Sequence, residues 1–114
     1  MHDMYVFLGT GEAKAKNDFG CKEGDLHSLL VFSRQPAGGA PDEALARKGA
    51  AFAGWRRVKL ERSRRLEAIP PEPTLRAAYE DALELGCSVV ADRRALAPAR
   101  RPGKRDRRGK KAQA

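Results

Sequence analysis

Three side chains able to do acid–base or nucleophilic chemistry lie close together in the sequence: Cys21, Asp25 and His27. A thiol beside an imidazole and a carboxylate could act as an activated nucleophile, and with Cys87 the same groups could bind a metal ion. However, the chain has only 2 Cys and 2 His, and their spacing matches no paired-ligand zinc motif. We therefore predict a polar loop leading into a strand that bears His27, with no catalytic site, no cofactor and no bound metal.

Two glycines follow the first apolar run, in the segment Gly9-Thr10-Gly11, and Lys14 and Lys16 come soon after them. Backbone amides in such a turn, together with lysines, can bind phosphate oxygens. The phosphate-loop motif that ends in Gly-Lys-Ser/Thr is missing, as is the dinucleotide-binding fingerprint, and no amphipathic helix follows. The segment is therefore predicted to be an ordinary turn that ends a strand.

Positive charge is the strongest functional signal, and it is concentrated at the C-terminal end. The chain carries 23 Lys and Arg against 15 Asp and Glu, a net charge of +8. Residues 1–92 hold 13 basic and 14 acidic residues and sum to −1, so residues 93–114, with 10 basic residues and Asp106, sum to +9. The second segment also contains prolines and glycines, and its one strongly apolar residue, Leu96, cannot form a core. We predict a compact domain over 1–92 and a disordered basic tail over 93–114.

The basic residues of the tail occur in pairs, with no aromatic residue among them. Such a segment can displace counterions from a phosphate polymer without reading its bases. Nucleic acid or the ribosome is thus one predicted partner, while a passive solubilising tail and attraction to an anionic membrane surface or an acidic protein stay open as alternatives. The candidate nucleic-acid-binding residues of the tail are Arg93, Arg94, Arg100, Arg101, Lys104, Arg105, Arg107, Arg108, Lys110 and Lys111.

A second basic segment, Arg56 to Arg65, interrupts the otherwise neutral domain. Two interpretations are open: its side chains form ion pairs with an acidic second helix, which carries Glu80, Asp81 and Glu84, or they form an anion-binding edge that acts with the tail. Trp55, just before the segment, could stack on a base, but a lone tryptophan in so small a domain is expected to pack in the core. The candidate nucleic-acid-binding residues of this segment are Arg57, Lys59, Arg62, Arg64 and Arg65.

The elements that position these residues follow from hydrophobic periodicity and from turn residues. In the first helix we expect Leu45, Gly49 and Phe52 to face the core, and Thr74 should be the N-cap of the second helix. The run from Leu29 to Phe32 has apolar residues on both faces of the strand, which predicts a central strand. The last strand is also predicted to be buried. The predicted order is ββαβαβ, with strands over 4–8, 26–33, 56–61 and 87–91 and helices over 41–54 and 74–86.

This order predicts an α/β (α+β) two-layer sandwich. Right-handed crossovers would place both helices on one face of a mixed sheet, leaving the other face open. In the first two strands both the odd-numbered and the even-numbered residues are largely apolar, so an apolar surface would remain on the open face. We expect that surface to be an interface, for a homodimer or another protein. In that case a charge placed at Phe7 or Val31 should disrupt the partner contact.

The N-terminal segment lacks the features of a signal peptide, no run is long enough to span a membrane, and the two cysteines are expected to stay reduced, so we predict a cytoplasmic protein. The leading functional hypothesis is a small non-enzymatic binding module that associates with RNA or DNA phosphates, independently of sequence, through the tail and the Arg56 to Arg65 strand. The alternative is a protein-interaction or regulatory module that uses the apolar sheet face and has a passive tail.

Overall fold

Four strands and two helices make up the part of the chain that the computed structural model describes, residues 1–98. Their order, ββαβαβ, and the α+β class agree with the prediction. The elements are β1 (His2–Ala13), β2 (Leu26–Pro36), α1 (Glu43–Ala53), β3 (Trp55–Arg65), α2 (Pro73–Leu85) and β4 (Cys87–Ala91).

The strands form one sheet in the order β3-β1-β2-β4, and every neighbouring pair is antiparallel. The predicted mixed sheet is therefore wrong. β3 and β4 pair with opposite sides of the β1–β2 hairpin, so β2 and β3, which run in the same direction, are never neighbours. The prediction that β2 is central is confirmed, but β4, predicted to be buried, is an edge strand and so is β3.

The first helix covers one face of the sheet. Ala46 and Ala50 of α1 pack against Phe7, Leu29 and Val31, and all five side chains are at most 1% exposed. Phe7 and Val31 thus lie in a closed core rather than on an open face, and a charge at either position would unfold the domain instead of disturbing a partner.

The second helix covers part of the other face, so the prediction of both helices on one face is wrong. Ala78 and Ala82 of α2 pack against Met4 and Phe32, which alternate with the residues under α1. The handedness rule applies to crossovers between parallel strands, such as β2–α1–β3. It places no constraint on the connection through α2, because β3 and β4 are antiparallel.

Helix α1 lies within the predicted range of 41–54, but it does not have the predicted orientation. Asp42 caps its first turn by accepting a hydrogen bond from the Leu45 backbone N–H at 3.0 Å, and Gly54 ends it in a left-handed conformation. Small residues face the sheet, whereas Leu45 is 40% and Phe52 96% exposed. Of the predicted stripe, Gly49 alone faces inward. The N-cap of α2 is Glu72 rather than Thr74, since its side chain accepts the Leu75 N–H.

Gly9-Thr10-Gly11 is not a turn but lies within β1. A Cβ at Gly9 would lie 2.1 Å from the Lys59 carbonyl oxygen, and one at Gly11 would lie 2.8 Å from Leu29. Gly9 therefore permits the close approach of the β3 backbone to β1, and Gly11 leaves room for the Leu29 side chain. Because their backbone groups belong to the sheet, they offer no phosphate-binding loop.

The hydrogen bonding of the sheet continues beyond residue 92, the predicted domain boundary. Leu96 N–H donates to the Leu26 carbonyl at 2.7 Å, and Leu26 N–H donates to the Ala97 carbonyl at 2.9 Å. The start of the predicted tail is thus attached to the outer side of β2, and residues 99–114 lie outside the described residues.

Candidate nucleic-acid interface

The strand β3 carries basic side chains at an edge of the sheet, and its pairing with β1 decides which way they point. Val58 and Leu60 pack into the core beneath α1, as the period-2 pattern predicts. Directly paired residues of antiparallel strands point to the same side of a sheet. The basic residues paired with Val6, Leu8, Thr10 and Glu12 therefore share the face opposite α1. We call these four the basic row: Arg64, Arg62, Lys59 and Arg56.

Two irregularities bend this edge. The pairing with β1 shifts between Leu8 and Gly9 and again between Thr10 and Glu12. Arg57 lies at the second shift and has a positive φ of 52°, an unusual backbone conformation for a residue with a side chain. Such bulges interrupt regular pairing, so the outer side of β3 is a poor template for another strand.

Acidic side chains pair with the cations at the ends of β3 but not, among the described residues, with those in its middle. Glu12 accepts from Arg56 at 3.4 Å and from Arg57 at 3.2 Å, and at the other end Arg65 contacts Glu67 at 2.9 Å and Asp3 at 4.0 Å. Within residues 1–98, no ion pair joins β3 to the acids of α2, so that interpretation of the basic segment is wrong.

Three members of the basic row are consequently available to an outside anion. Lys59, Arg62 and Arg64 are exposed and have no carboxylate partner among the described residues. Alternate residues of a strand are about 7 Å apart, so Arg62 and Arg64 present separate contact points along the edge. Such a row can follow a chain of phosphates in a way that a single cluster of charge cannot.

Beside the row lies a part of the sheet that α2 leaves uncovered. Leu8, paired with Arg62, is 39% exposed, whereas Phe32, nearer α2, is 2% exposed. Thr10 and Glu12 continue this surface, and none of its residues is aromatic. It could therefore contact sugars and phosphates, but it offers no platform for base stacking.

Trp55 is fully buried, which confirms its predicted role in the core. Its ring lies 5.7 Å from that of Phe19 and 5.6 Å from that of His27, measured between centroids. It is thus not available to a nucleobase.

The Cys21–Asp25–His27 group is brought together but is poorly arranged for nucleophilic chemistry. His27 Nδ1 lies 2.6 Å from the Asp92 carbonyl oxygen and 4.0 Å from Cys21 Sγ. Because a carbonyl only accepts, Nδ1 carries the proton and cannot take one from the thiol. Burial and the Asp25 charge raise the pKa of Cys21, although Arg93 opposes them. Within residues 1–98 no group of three or more His, Cys, Asp or Glu side chains is placed to hold a metal.

The candidate residues of the tail divide into two groups. Arg93 and Arg94 are exposed just after β4, where the Arg94 N–H donates to the Asp92 carboxylate at 3.0 Å. The others lie outside the described residues: Arg100, Arg101, Lys104, Arg105, Arg107, Arg108, Lys110 and Lys111.

Two features of the site were not predicted from the sequence. One is the role of Glu12, which pairs with both Arg56 and Arg57, so that the cations without a carboxylate partner within residues 1–98 lie in the middle of β3. No local pattern indicates this role, because it depends on how β1 and β3 pair. The other is the exposure of Phe52, which no sequence pattern distinguished from a core residue.

No helix of residues 1–98 is long and apolar enough to cross a membrane. Comparison with protein families, curated proteins and solved structures finds no match to this chain.

Proposed function

We propose that the protein binds nucleic acid through its phosphates, independently of sequence, using the basic row and the basic residues after β4. The observation that carries the proposal is the set of three exposed cations, Lys59, Arg62 and Arg64, on one face of one edge, with no carboxylate partner in the part of the chain that the structure describes. Even paired charges at a protein surface contribute little to stability, so the fold does not require these three unpaired cations.

The position of the chain end supports joint action of the two basic regions. Ala97, Leu26, Glu12 and Arg56 lie side by side across the sheet. With neighbouring strands about 4.8 Å apart, Ala97 is on the order of 14 Å from Arg56. Residues 99–114, which carry eight of the basic residues, thus continue from a point close to one end of the row. One strand of nucleic acid could therefore contact both regions.

The absence of aromatic residues from the row and its neighbours favours electrostatic binding over base reading. Each cation that contacts a phosphate releases about 0.7 counterions from a single strand. Affinity should then fall steeply with salt and depend little on base sequence. The two free thiols, Cys21 and Cys87, are consistent with a reducing, cytoplasmic setting, which is part of the same proposal.

The test is a salt titration of the full chain with fluorescent single strands of uniform and of mixed sequence. In the triple variant Lys59→Gln, Arg62→Gln, Arg64→Gln, the slope of log K against log salt concentration should become less steep by about 2, because three phosphate contacts are lost. Removal of residues 99–114 from this variant should make the slope less steep again.

The matched control removes three exposed cations elsewhere: Lys22→Gln, Arg47→Gln, Arg76→Gln. It has the same net charge as the first triple variant, so general attraction is held constant. Equal losses in the two variants, or affinity that does not depend on salt, would contradict the proposal. Strong preference for one base sequence would contradict its phosphate-only mechanism.

A further inference from the structure

The other edge of the sheet, β4, has backbone groups that no other group of residues 1–98 pairs with. Arg34 N–H donates to the Gly86 carbonyl at 2.9 Å, and Asp92 N–H donates to the Ser28 carbonyl at 3.0 Å. In an antiparallel pair, hydrogen-bonded positions alternate, so Ser88 and Val90 bond to β2. The N–H and C=O groups of Cys87, Val89 and Ala91 therefore point away from the sheet.

Nothing in the sequence of β4 protects this edge. Its five residues, Cys87–Ala91, include no charge and no proline, and its register with β2 shows no bulge. Natural edge strands usually avoid pairing by means of such features. An open edge of this kind is a template for an added strand.

Apolar side chains stand next to the same edge. A groove of about 850 Å³ lies between α1, β4 and the end of α2. Phe52 and Leu45 of α1 line it, 96% and 40% exposed, together with Leu85 of α2, 75% exposed. A fully exposed phenylalanine beside unpaired backbone groups is typical of an interface rather than of a free surface.

The charges around β4 favour a second copy of the chain as the occupant. The last turns of α2, beside the Cys87 end, carry the exposed acids Asp81 and Glu84 against Arg34, a net charge of −1. The Ala91 end is followed by Asp92 and by the exposed Arg93 and Arg94, a net charge of +1. In an antiparallel pairing of two identical strands, each end meets the opposite end of its partner. The acidic end of one copy would thus face the basic end of the other.

We propose that two copies of the chain associate through β4 about a two-fold axis at Val89, which joins their sheets into one of eight strands. Val89 pairs with its own counterpart, and Cys87 pairs with Ala91 of the second copy, which satisfies the outward backbone groups of both edges. The axis is perpendicular to the sheet, so both α1 helices lie on one face. Phe52 of each copy then contacts the other copy.

The test uses the full chain at a salt concentration high enough to dissociate nucleic acid. Sedimentation over a range of protein concentrations should give a mass twice the 12.5 kDa of one chain. Hydrogen exchange at the Cys87, Val89 and Ala91 amides should slow as concentration rises. Phe52→Lys should weaken the dimer on the order of 10-fold or more, since an aromatic residue at the centre of an interface is a frequent hot spot.

The matched control is Ile69→Lys, at an apolar residue that is 47% exposed outside the groove, and it should leave the dimer unchanged. The triple variant of the basic row should also dimerise normally, so failure of nucleic-acid binding and failure of dimerisation are separable. A monomer at every concentration would overturn the proposal, and so would a dimer insensitive to Phe52→Lys. Protection of the β4 amides that does not depend on concentration would mean that the chain's own residues cover the edge, which also overturns it.

Discussion

The two edges of the sheet are opposites in chemistry. β3 has eleven residues, seven of them charged, and two irregularities in its pairing, whereas β4 has five residues and no charge. Charge and bulges make β3 unsuitable for another strand but suited to a polyanion. The outward backbone groups of β4 have no partner within residues 1–98, and an apolar groove lies beside it. The basic charge of β3 is offset by acids elsewhere in residues 1–92, such as those of α2, and not by the uncharged β4.

The difference shows that one sheet can have one edge strand suited to a polyanion and another edge strand suited to pairing with a further strand. Both edges contribute core residues on the α1 side: Val58 and Leu60 from β3, and Val89 from β4. They differ in the groups that they present to solvent: β3 presents cations on the face opposite α1, and β4 presents backbone N–H and C=O groups beside an apolar groove. Substitutions that affect one edge should therefore leave the function proposed for the other edge intact.

The largest effect is expected from Gly9→Ala, which would separate β3 from the sheet. The new Cβ would lie 2.1 Å from the Lys59 carbonyl oxygen and 3.0 Å from the Leu60 Cα, and backbone atoms cannot move away without breaking the β1–β3 pairing. We expect a loss of about 3 kcal/mol in the free energy of unfolding, at the upper end for an overpacked site. Urea unfolding measures it, and phosphate binding should weaken while β4-mediated dimers persist.

Gly39→Ala is the control for this substitution. A Cβ at Gly39 has its nearest neighbour at 3.5 Å, an ordinary contact, so the free energy of unfolding should change by less than about 0.5 kcal/mol. Equal stability of the two variants would show that β3 can shift at Gly9 and is not fixed there.

A smaller effect is expected from Gly49→Ala, where α1 meets β4. The added Cβ would lie 2.1 Å from Cys87 Sγ and 2.9 Å from Cys87 Cβ. Alanine improves helix propensity by about 1 kcal/mol, but displacing α1 from β4 should cost more, so we expect a net loss of about 1–2 kcal/mol. The double variant Gly49→Ala, Cys87→Ala removes the sulfur and should recover part of this loss in a double-mutant cycle. Strictly additive effects would contradict the contact.

The smallest effect concerns the thiol on β4. Burial raises the pKa of Cys87 to about 11 from an ordinary value of 9.0. In a Cys21→Ser variant, the alkylation rate of Cys87 should stay low at neutral pH and rise toward pH 11. Because the folded state favours the neutral thiol, its contribution to stability is complete below pH 9 and is lost as the pH rises through about 11.

A thiol placed on the other edge sharpens the comparison. Ser63→Cys, in a chain without the two native cysteines, places an exposed thiol on β3. Its side chain points to the face opposite Arg62 and Arg64, but both are its neighbours along the strand, and together with Arg65 their charge should lower the pKa of the new thiol. It should react faster than Cys87 at pH 8. Similar rates at the two edges would mean that they do not differ electrostatically as the structure indicates.

Local pattern was enough to predict the elements and part of the candidate site. The alternation around Val58 and Leu60 correctly placed Lys59 opposite the core, because the side chains of a regular strand alternate. The same alternation would place Arg62 and Arg64 on the core side, and they share the face of Lys59 because the pairing with β1 shifts between Leu60 and Arg62. Gly54 and Gly86 correctly ended the helices, since both adopt the left-handed conformation that glycine favours. The Glu12 ion pairs could not be predicted, because they depend on the register between two strands far apart in sequence.

No local sequence pattern indicated which residues of the helices face the core or in which order the strands pair. Leu45, Gly49 and Phe52 of α1 were expected to face the core. The structure places Ala46 and Ala50 there with Gly49, and α1 lies so close to β4 that a Cβ at Gly49 would overlap Cys87. That distance is a property of the packed layers and not of the helix.

The sequence by itself determined the six elements, the basic character of residues 56–65 and the concentration of positive charge after residue 92, because each depends on neighbouring residues alone. The tertiary structure decided that the sheet is antiparallel, that its two faces are covered by different helices, and that the two unlike strands β3 and β4 form its edges. Pairing between distant segments sets which backbone groups are satisfied and which remain free. The cations of β3 and the outward backbone groups of β4 that lack partners within residues 1–98 are therefore features of the folded chain alone.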